Sequence, residues 1–281
     1  MTLPNYLVIG AQKSATSSVC DLLSAHPEVF MTDPKEPYFF SHDEYWSRGL
    51  GWYESLFEGA QGCLAIGDGS TTYSQCELYP NAVERIAQHL PGVKLIYIVR
   101  NPLDRIQSHW MHYRSKGDGE PRPFHIAVRE RPEYIDNSRY CKQIDQHRAH
   151  HPDDRILTLF FEHFKQDPNT VMRRVFAFLG VDPSYVPEDA GKPRHVSAKG
   201  RVDTPLLRPL RRLPGFDLVR DSMPAGLREG LRRVMKKPIE GRPEWDDESR
   251  RYVIERLADD NRAFLKRYGK PEDYWGIDWG S

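Results

Sequence analysis

The chain has 281 residues, enough for one large α/β domain or two small ones. Its 40 basic and 40 acidic residues cancel, so overall charge gives no support for a nucleic-acid partner. No segment approaches the roughly 20 apolar residues that span a bilayer, and no basic region with an apolar run opens the chain. We therefore expect a soluble, cytoplasmic protein with a single domain over residues 1–281 and a helical C-terminal extension from about residue 205.

The first predicted elements are a strand over residues 6–9, a short polar loop and a helix that begins near Thr16. A helix N-terminus presents unpaired N–H groups and the positive end of a dipole, so this segment can hold a phosphate or sulfate group. Lys13 would add a positive charge. The spacing differs from the Gly-x4-Gly-Lys-[Ser/Thr] loop, because Leu7 and Gln12 stand where the glycines belong. The alternative is an ordinary strand, turn and helix without a ligand.

Further along the chain, apolar runs predict strands over residues 64–66, 94–99 and 156–161, the first of them weaker. Periodic apolar positions predict helices over residues 81–90, from Pro102 onward, over residues 169–179, and after a cap at Asp246 or Asp247. Alternating strands and helices of this size predict an α/β fold with a mostly parallel central sheet flanked by helices.

A second candidate anion site follows the strand over residues 94–99. Arg100 stands at the end of this strand, and Ser108 lies two turns into the next helix. Ligands of open α/β sheets bind beyond the carboxyl ends of the strands, so Arg100 is expected at the same edge as Lys13. A guanidinium suits a phosphate dianion. The alternative is a surface ion pair between Arg100 and Asp104.

Two basic segments follow in the last third of the chain. Lys199-Gly200-Arg201 places two cations around a glycine, so its backbone can close on an anion, although charged loop residues are usually only solvated. Residues 206–237 are rich in arginine with interleaved apolar residues, which predicts short basic amphipathic helices. Such faces are usually solvated, and the alternative is peripheral contact with a membrane or with an anionic acceptor.

In this order, the segments resemble the sulfotransferases that use 3′-phosphoadenosine 5′-phosphosulfate (PAPS), most closely the heparan sulfate sulfotransferase domains and their bacterial relatives. The resemblance runs from Tyr6 to about Trp279 and implies a P-loop-like three-layer fold. It implies that PAPS is the donor, that adenosine 3′,5′-bisphosphate (PAP) is the product, and that no metal is required. The 5′-phosphosulfate is expected to contact Gln12, Lys13, Ser14, Ala15, Thr16, Ser17 and Ser18. The 3′-phosphate is expected to contact Arg100, Ser108, Lys199, Gly200 and Arg201.

The same resemblance implies the catalytic groups. The stretch Lys35-Glu36-Pro37-Tyr38-Phe39-Phe40 is similar to the family's Lys-Glu-x-x-Phe-Phe, in which the glutamate is the base, and Glu36 falls on that position. A carboxylate within hydrogen-bond reach of a hydroxyl can accept its proton. Lys13 is expected to neutralise charge on the departing nucleotide. The alternative leaves Glu36 as an ordinary loop charge, and His42 is the second candidate base.

On the acceptor side, the expected contacts are Lys35, Asp68, Ser70 and Tyr73. In the heparan sulfate enzymes a lysine in this stretch contacts the sugar chain, whereas Gly69 stands in its place here. This departure argues against a heavily sulfated glycan. The expected acceptor is a hydroxyl, or alternatively an amine, of a glycan, glycolipid or small metabolite.

The four cysteines are scattered without a metal-ligand spacing, and the cysteine pair of the secreted enzymes is missing. Reduced thiols and a reducing compartment are therefore expected. Two other functions remain open at this point. One is a nucleotide-dependent kinase with a degenerate phosphate loop that uses Asp68 for magnesium, and the other is a binding protein that keeps the fold without the chemistry.

Overall fold

The computed structural model describes residues 2–115, 120–187 and 241–280, together with the backbone of residues 201–203 and 236–238. Its central sheet consists of five parallel strands: β1 (Tyr6–Gly10), β2 (Val29–Met31), β3 (Ala65–Asp68), β4 (Lys94–Val99) and β5 (Ile156–Phe160). The strand order is β2-β3-β1-β4-β5. A separate antiparallel pair joins β6 (Arg201–Asp203) to β7 (Lys236–Pro238). The parallel sheet expected from the sequence is confirmed.

Helices connect the strands and cover the sheet. In the described residues they are α1 (Thr16–Ser24), α2 (Asp43–Trp46), α3 (Gly49–Ser55), α4 (Ala82–His89), α5 (Pro102–Ser115), α6 (Phe124–Glu130), α7 (Glu133–Asp136), α8 (Tyr140–Arg148), α9 (Phe161–Gln166), α10 (Pro168–Leu179) and α11 (Asp247–Arg267). The predicted cap of the last helix is present, since the Asp246 carboxylate accepts a hydrogen bond of 2.8 Å from the Ser249 N–H. None of the described helices is long and apolar enough to cross a membrane.

Two apolar clusters lie on opposite faces of the sheet, because successive side chains of a strand point in opposite directions. On one face, Tyr6 and Val8 of β1 pack with residues of α1 and α10. On the other face, Leu7 and Ile9 pack with residues of α4, α5, α8 and α11. All four side chains are fully buried, as expected for a parallel strand covered on both sides. This arrangement confirms the three-layer fold.

The strand order also places the candidate site. β3 and β4 lie on opposite sides of β1 in the sheet. The chain therefore crosses from one side of β1 to the other in the segment that connects β3 to β4. The segments that follow β1, β3 and β4 therefore share one edge of the sheet, at the position where ligands bind in open α/β folds. These segments carry Lys13, the turn Thr71–Ser74 and Arg100.

Several sequence-based expectations fall outside the described residues. Lys199, Gly200 and almost all of the basic segment 206–237 lie there, and only the backbone of Arg201 is described, within β6. The single-domain organisation with a helical extension from about residue 205 stays a prediction.

Candidate active site

The loop between β1 and α1, residues 11–15, leaves a helix N-terminus open and is called the anion loop below. Lys13 and Ala15 both have a φ of 72°, which turns the chain sharply before the helix begins. Ala15 occupies the N-cap position, where no side chain caps the helix, and the first turn of α1 contains no acidic residue. The N–H groups of this turn are therefore open to an anion, and the anion site itself stays a prediction.

Buried polar atoms line the same loop. The Ser14 side chain is fully buried, and its hydroxyl oxygen has no hydrogen-bond partner among the described residues. The Gln12 Oε1 atom is also buried and has no hydrogen-bond partner among the described residues. Buried polar groups normally have a partner, so these atoms are suited to contact a bound group. A helix N-terminus with a buried hydroxyl beside it suits a bound phosphate or sulfate group.

Glu36 lies across from this loop and is held by two hydroxyl donors. Tyr38 donates to Glu36 Oε2 at 2.6 Å, and Thr71 donates to Oε1 at 3.0 Å. Its side chain is 30% exposed. Burial raises the pKa of the Glu36 carboxyl, but the charge of Lys35 and the two hydrogen bonds outweigh this effect and hold the pKa below its usual value. Glu36 is therefore ionised at neutral pH and can accept a proton.

Lys35 joins the two sides of the site. Its ammonium donates to Ser17 Oγ in the first turn of α1 at 3.3 Å and lies 3.7 Å from Glu36 Oε1. Its aliphatic chain passes over Gly69, where an added Cβ would lie 3.1 Å from Lys35 Cε and 2.7 Å from Cys20 Sγ. The sequence placed Lys35 on the acceptor side, whereas the structure places its ammonium between the candidate base and the anion loop.

The expected acceptor contacts of Asp68, Ser70 and Tyr73 need correction. All three side chains are fully buried. Asp68 accepts hydrogen bonds from Tyr53 at 2.8 Å, Tyr73 at 2.7 Å and Ser70 at 2.8 Å. The Asp68 carboxylate is thus enclosed by three hydroxyl donors and is not exposed to an acceptor in this structure. Ser70 also accepts a bond of 3.1 Å from the N–H of Tyr38, so the group supports the segment that carries Glu36.

His42, the second candidate base, is engaged through both ring nitrogens. Nδ1 is hydrogen-bonded to the Ser41 hydroxyl at 2.9 Å, and Nε2 to the Tyr79 hydroxyl at 3.3 Å. The ring packs between Tyr38 and Tyr79, with centroids 4.9 and 4.6 Å away. Burial lowers the pKa of the His42 imidazole. His42 also lines a cleft with Ser41 and Tyr79, and the Tyr38 ring lies between His42 and Glu36.

Arg100 contacts the anion loop directly. One guanidinium nitrogen donates to the Lys13 carbonyl at 3.5 Å, and another lies 3.4 Å from Asp104 Oδ2. The guanidinium also packs over the Phe161 ring, 4.7 Å from its centroid. The ion pair considered as an alternative is therefore present, but Asp104 also pairs with Arg242. Ser108 lies further along α5 and is half-buried.

The sequence missed three parts of this site. Tyr38 and Thr71, the hydroxyl donors to Glu36, carry a signal only in their position near predicted site residues. Arg105 was also missed, because in the sequence it is one more cation on a helix. In the structure its side chain is fully buried, and it lies 3.5 Å from the Gln12 carbonyl.

An anion loop, a carboxylate beside it and a three-layer α/β fold are together typical of enzymes that transfer a group from a nucleotide. Residues 3–196 match the family described as the sulfotransferase domain. Because this match covers more than half of the chain, the protein belongs to the sulfotransferase family, whose members use PAPS as the sulfate donor.

Curated relatives agree with this assignment. Mouse bifunctional heparan sulfate N-deacetylase/N-sulfotransferase 3 is 29% identical over 204 residues, which cover 65% of this chain and 23% of that protein. Bovine bifunctional heparan sulfate N-deacetylase/N-sulfotransferase 2 is 26% identical over 97% of this chain and 30% of its own length. Human heparan sulfate glucosamine 3-O-sulfotransferase 6 is 30% identical over 63% of this chain and 52% of its own length. The chain thus spans about a quarter to a half of these relatives.

Solved structures share the fold. A sulfotransferase from Alicyclobacillus acidocaldarius has a TM-score of 0.70 and 23% identity, covering 99% of this chain and 100% of that chain. Mouse sulfotransferase SULT7A1 complexed with PAP has a TM-score of 0.51 and 17% identity, covering 95% and 88% of the two chains.

Proposed function

We propose that the protein transfers the sulfuryl group of PAPS to a hydroxyl of a small glycan, glycolipid or metabolite. One observation carries this proposal. The Lys35 ammonium lies 3.3 Å from Ser17 in the first turn of α1 and 3.7 Å from the Glu36 carboxylate. Glu36, the candidate base, and the anion loop therefore face the same space, which an in-line displacement requires.

The donor would be held at both of its charged ends. The open first turn of α1, the buried Ser14 hydroxyl and Lys13 fit the 5′-phosphosulfate. Arg100 and Ser108 are assigned to the 3′-phosphate, together with Lys199, Gly200 and Arg201 from the resemblance alone. A guanidinium forms paired, charge-assisted hydrogen bonds to phosphate, and the N–H groups of a helix N-terminus also bind anions.

In the chemical step, the acceptor oxygen forms a bond to sulfur while the bond from sulfur to the bridging oxygen of the donor breaks. Glu36 takes the proton of the acceptor hydroxyl. Lys13 and Lys35 offset the negative charge that develops on the departing phosphate. PAP leaves with that charge, and the sulfated acceptor is released.

The acceptor class is drawn from two observations. Relatives named for heparan sulfate support a glycan. At Gly69, however, the space for a side chain is filled by Lys35 and Cys20, so this position offers no basic contact to a sulfated chain. All four cysteines are free, which supports a reducing compartment such as the cytoplasm.

Glu36→Gln is the decisive variant. We expect it to lower turnover by about 10²- to 10⁴-fold, as loss of a general base does, while leaving PAP affinity nearly unchanged. Turnover is measured as sulfate transferred from PAPS to components of a host extract, followed by mass spectrometry. PAP affinity is measured by calorimetry with and without EDTA.

The matched control is Glu44→Gln, which neutralises a carboxylate whose side chain is 77% exposed. We expect this variant to keep wild-type turnover. Wild-type transfer by Glu36→Gln would remove Glu36 from the role of base. Tight PAP binding without any transfer by the wild-type protein would instead identify a binding protein that has kept the fold.

A further inference from the structure

Arg105 is a charged side chain placed directly behind the anion loop. It lies on α5, and none of its surface is exposed. Its Nε donates to Ser138 Oγ at 2.6 Å, and its Nη2 donates to the Tyr134 carbonyl at 2.6 Å. Nη1 faces the Gln12 carbonyl at 3.5 Å. The guanidinium therefore links the segment before α8 to the loop before α1.

No carboxylate pairs with Arg105 in the part of the chain that the structure describes. The ionisable groups around it that could carry a negative charge are the hydroxyls of Tyr97, Tyr113, Tyr134 and Tyr140. Burial raises the pKa of each of these hydroxyls, so all four are neutral at physiological pH. A buried cation without a counter-charge costs several kcal/mol of solvation. The neutral groups around Arg105 offset only part of this cost.

His109, one turn further along α5, adds no second positive charge beside Arg105. Its Nδ1 lies 3.4 Å from Arg105 Nη1. Burial lowers the pKa of the His109 imidazole well below its usual value, and the charges of Arg105 and Lys13 lower it further. His109 is therefore neutral, and Arg105 and Lys13 both lie close enough to influence it.

We propose that Arg105 is a positioning residue for the 5′-phosphosulfate of the donor. Its guanidinium holds the Gln12 carbonyl, which fixes the direction of the N–H groups that follow in the loop. Its buried charge is balanced when the doubly charged donor end binds to that loop. The inference rests on the proposed function to the extent that the loop binds the donor.

Two nucleotides that each carry one of the two phosphates test this role. Adenosine 5′-monophosphate reports on the loop before α1, whereas adenosine 3′-monophosphate reports on the Arg100 side. We expect Arg105→Gln to weaken binding of the 5′-monophosphate about tenfold or more and to leave binding of the 3′-monophosphate within about twofold. Arg105→Lys keeps the charge but loses the fork that links the three contacts, so we expect it to recover only part of the 5′-monophosphate affinity that Arg105→Gln loses.

A second variant and a matched control protect the test against misfolding. Ser138→Ala removes one anchor of the guanidinium and keeps its charge, so we expect a loss of a few-fold for the 5′-monophosphate alone. Arg114→Gln removes another arginine of α5 that donates to backbone carbonyls, those of Glu120 and Pro121, and should change neither affinity.

The outcomes separate this inference from the proposed function. Equal losses for both nucleotides in Arg105→Gln and Ser138→Ala, or unchanged 5′-monophosphate binding, would overturn the positioning role alone. The positioning role would also be overturned if Arg105→Lys lost as much affinity for the 5′-monophosphate as Arg105→Gln. A wild-type protein without affinity for PAP would overturn both the inference and the proposed function.

Discussion

At the scale of single residues, the environment gives two nearby carboxylates opposite properties. Glu36 is partly exposed beside Lys35, and its pKa lies below the usual value. Asp68 is fully buried, and desolvation raises its pKa to about 6 even though three hydroxyls donate to it. Opposite shifts of this kind separate the roles of two acids. Glu36 is suited to take a proton, and Asp68 to hold the segment around it.

The pKa shift of Glu36 gives a prediction for the pH dependence of turnover. Because its pKa is lowered from 4.5, the carboxylate stays ionised as the pH falls from 8 to 5. We therefore expect that protonation of Glu36 does not lower kcat/KM between pH 8 and pH 5. The fall of kcat/KM that reports this protonation is expected below pH 4.5. The measurement is a pH profile of initial transfer rates at subsaturating acceptor.

His42 provides the contrasting outcome. An acid limb well above pH 4.5 that disappears in His42→Asn would move the role of base from Glu36 to His42. Tyr79→Phe removes the hydroxyl that contacts His42 Nε2 and keeps the aromatic ring. It therefore controls for changes in the packing and hydrogen bonding around His42 that leave the imidazole in place.

The sequence indicates Lys13 through its loop and Glu36 through the family resemblance, and their roles stay predictions. It could not predict the buried state of Asp68, since one of its donors, Tyr53, comes from α3 and meets it only in the folded chain. Arg105 was missed for the same reason. Its burial depends on contacts with Ser138 and Gln12, both of which lie far away in sequence.

At the scale of secondary structure, α1 is a helix that lacks the usual stabilisation of its first turn. No side chain caps it, and no acidic residue lies in that turn. Capping residues and first-turn carboxylates are common because they satisfy the open N–H groups and the dipole. Here neither device is present, so on the proposed function a substitution that stabilises this turn should compete with donor binding.

Ser18→Asp tests this competition. A carboxylate in the first turn is expected to stabilise the free protein by up to about 1 kcal/mol, since it interacts with the helix dipole. The same charge should weaken PAP binding about tenfold or more by repulsion. The measurements are urea denaturation without ligand and calorimetric titration with PAP.

Ser24→Asp is the matched control, because it adds the same charge at the opposite end of α1. It should leave PAP affinity within about twofold of wild type, since the effect of such a charge falls off within one turn. Equal losses in the two variants would contradict a specific anion site at the first turn.

The elements themselves were predictable to different degrees. β4 has the bounds expected from its apolar run, and α10 begins one residue before the predicted helix. β2 was not predicted, because three residues are too few to show a periodic pattern. It forms only by pairing with β3, which itself begins at Ala65 and extends two residues beyond the predicted strand.

At the scale of the whole molecule, the region that matches the family is not sufficient for the core. The match ends at residue 196, yet α11 and the segment after it complete one face of the sheet. Phe264 is fully buried, and Thr158 of β5 donates to the Tyr268 hydroxyl at 2.8 Å. Asn101, directly after Arg100, donates to the Trp275 carbonyl at 2.9 Å. The end of the described chain therefore supports the segment that follows β4.

Phe264→Ala measures this support. Removing a buried phenylalanine leaves a cavity and is expected to cost about 3–5 kcal/mol of unfolding free energy. Urea denaturation measures the loss, and the exposed Lys266→Ala on the same helix should stay within about 0.5 kcal/mol of wild type. A similar small effect for both variants would mean that α11 is not part of the cooperative fold.

The contact between Gly69 and Lys35 has a consequence for engineering acceptor specificity. An added Cβ at position 69 would lie 3.1 Å from Lys35 Cε and 2.7 Å from Cys20 Sγ. A side chain introduced there meets Cys20 Sγ first, and it also presses on the lysine whose ammonium lies beside Glu36. Libraries that vary one position at a time will therefore record position 69 as intolerant, whereas libraries that pair position 69 with a smaller residue at position 20 can admit a side chain there.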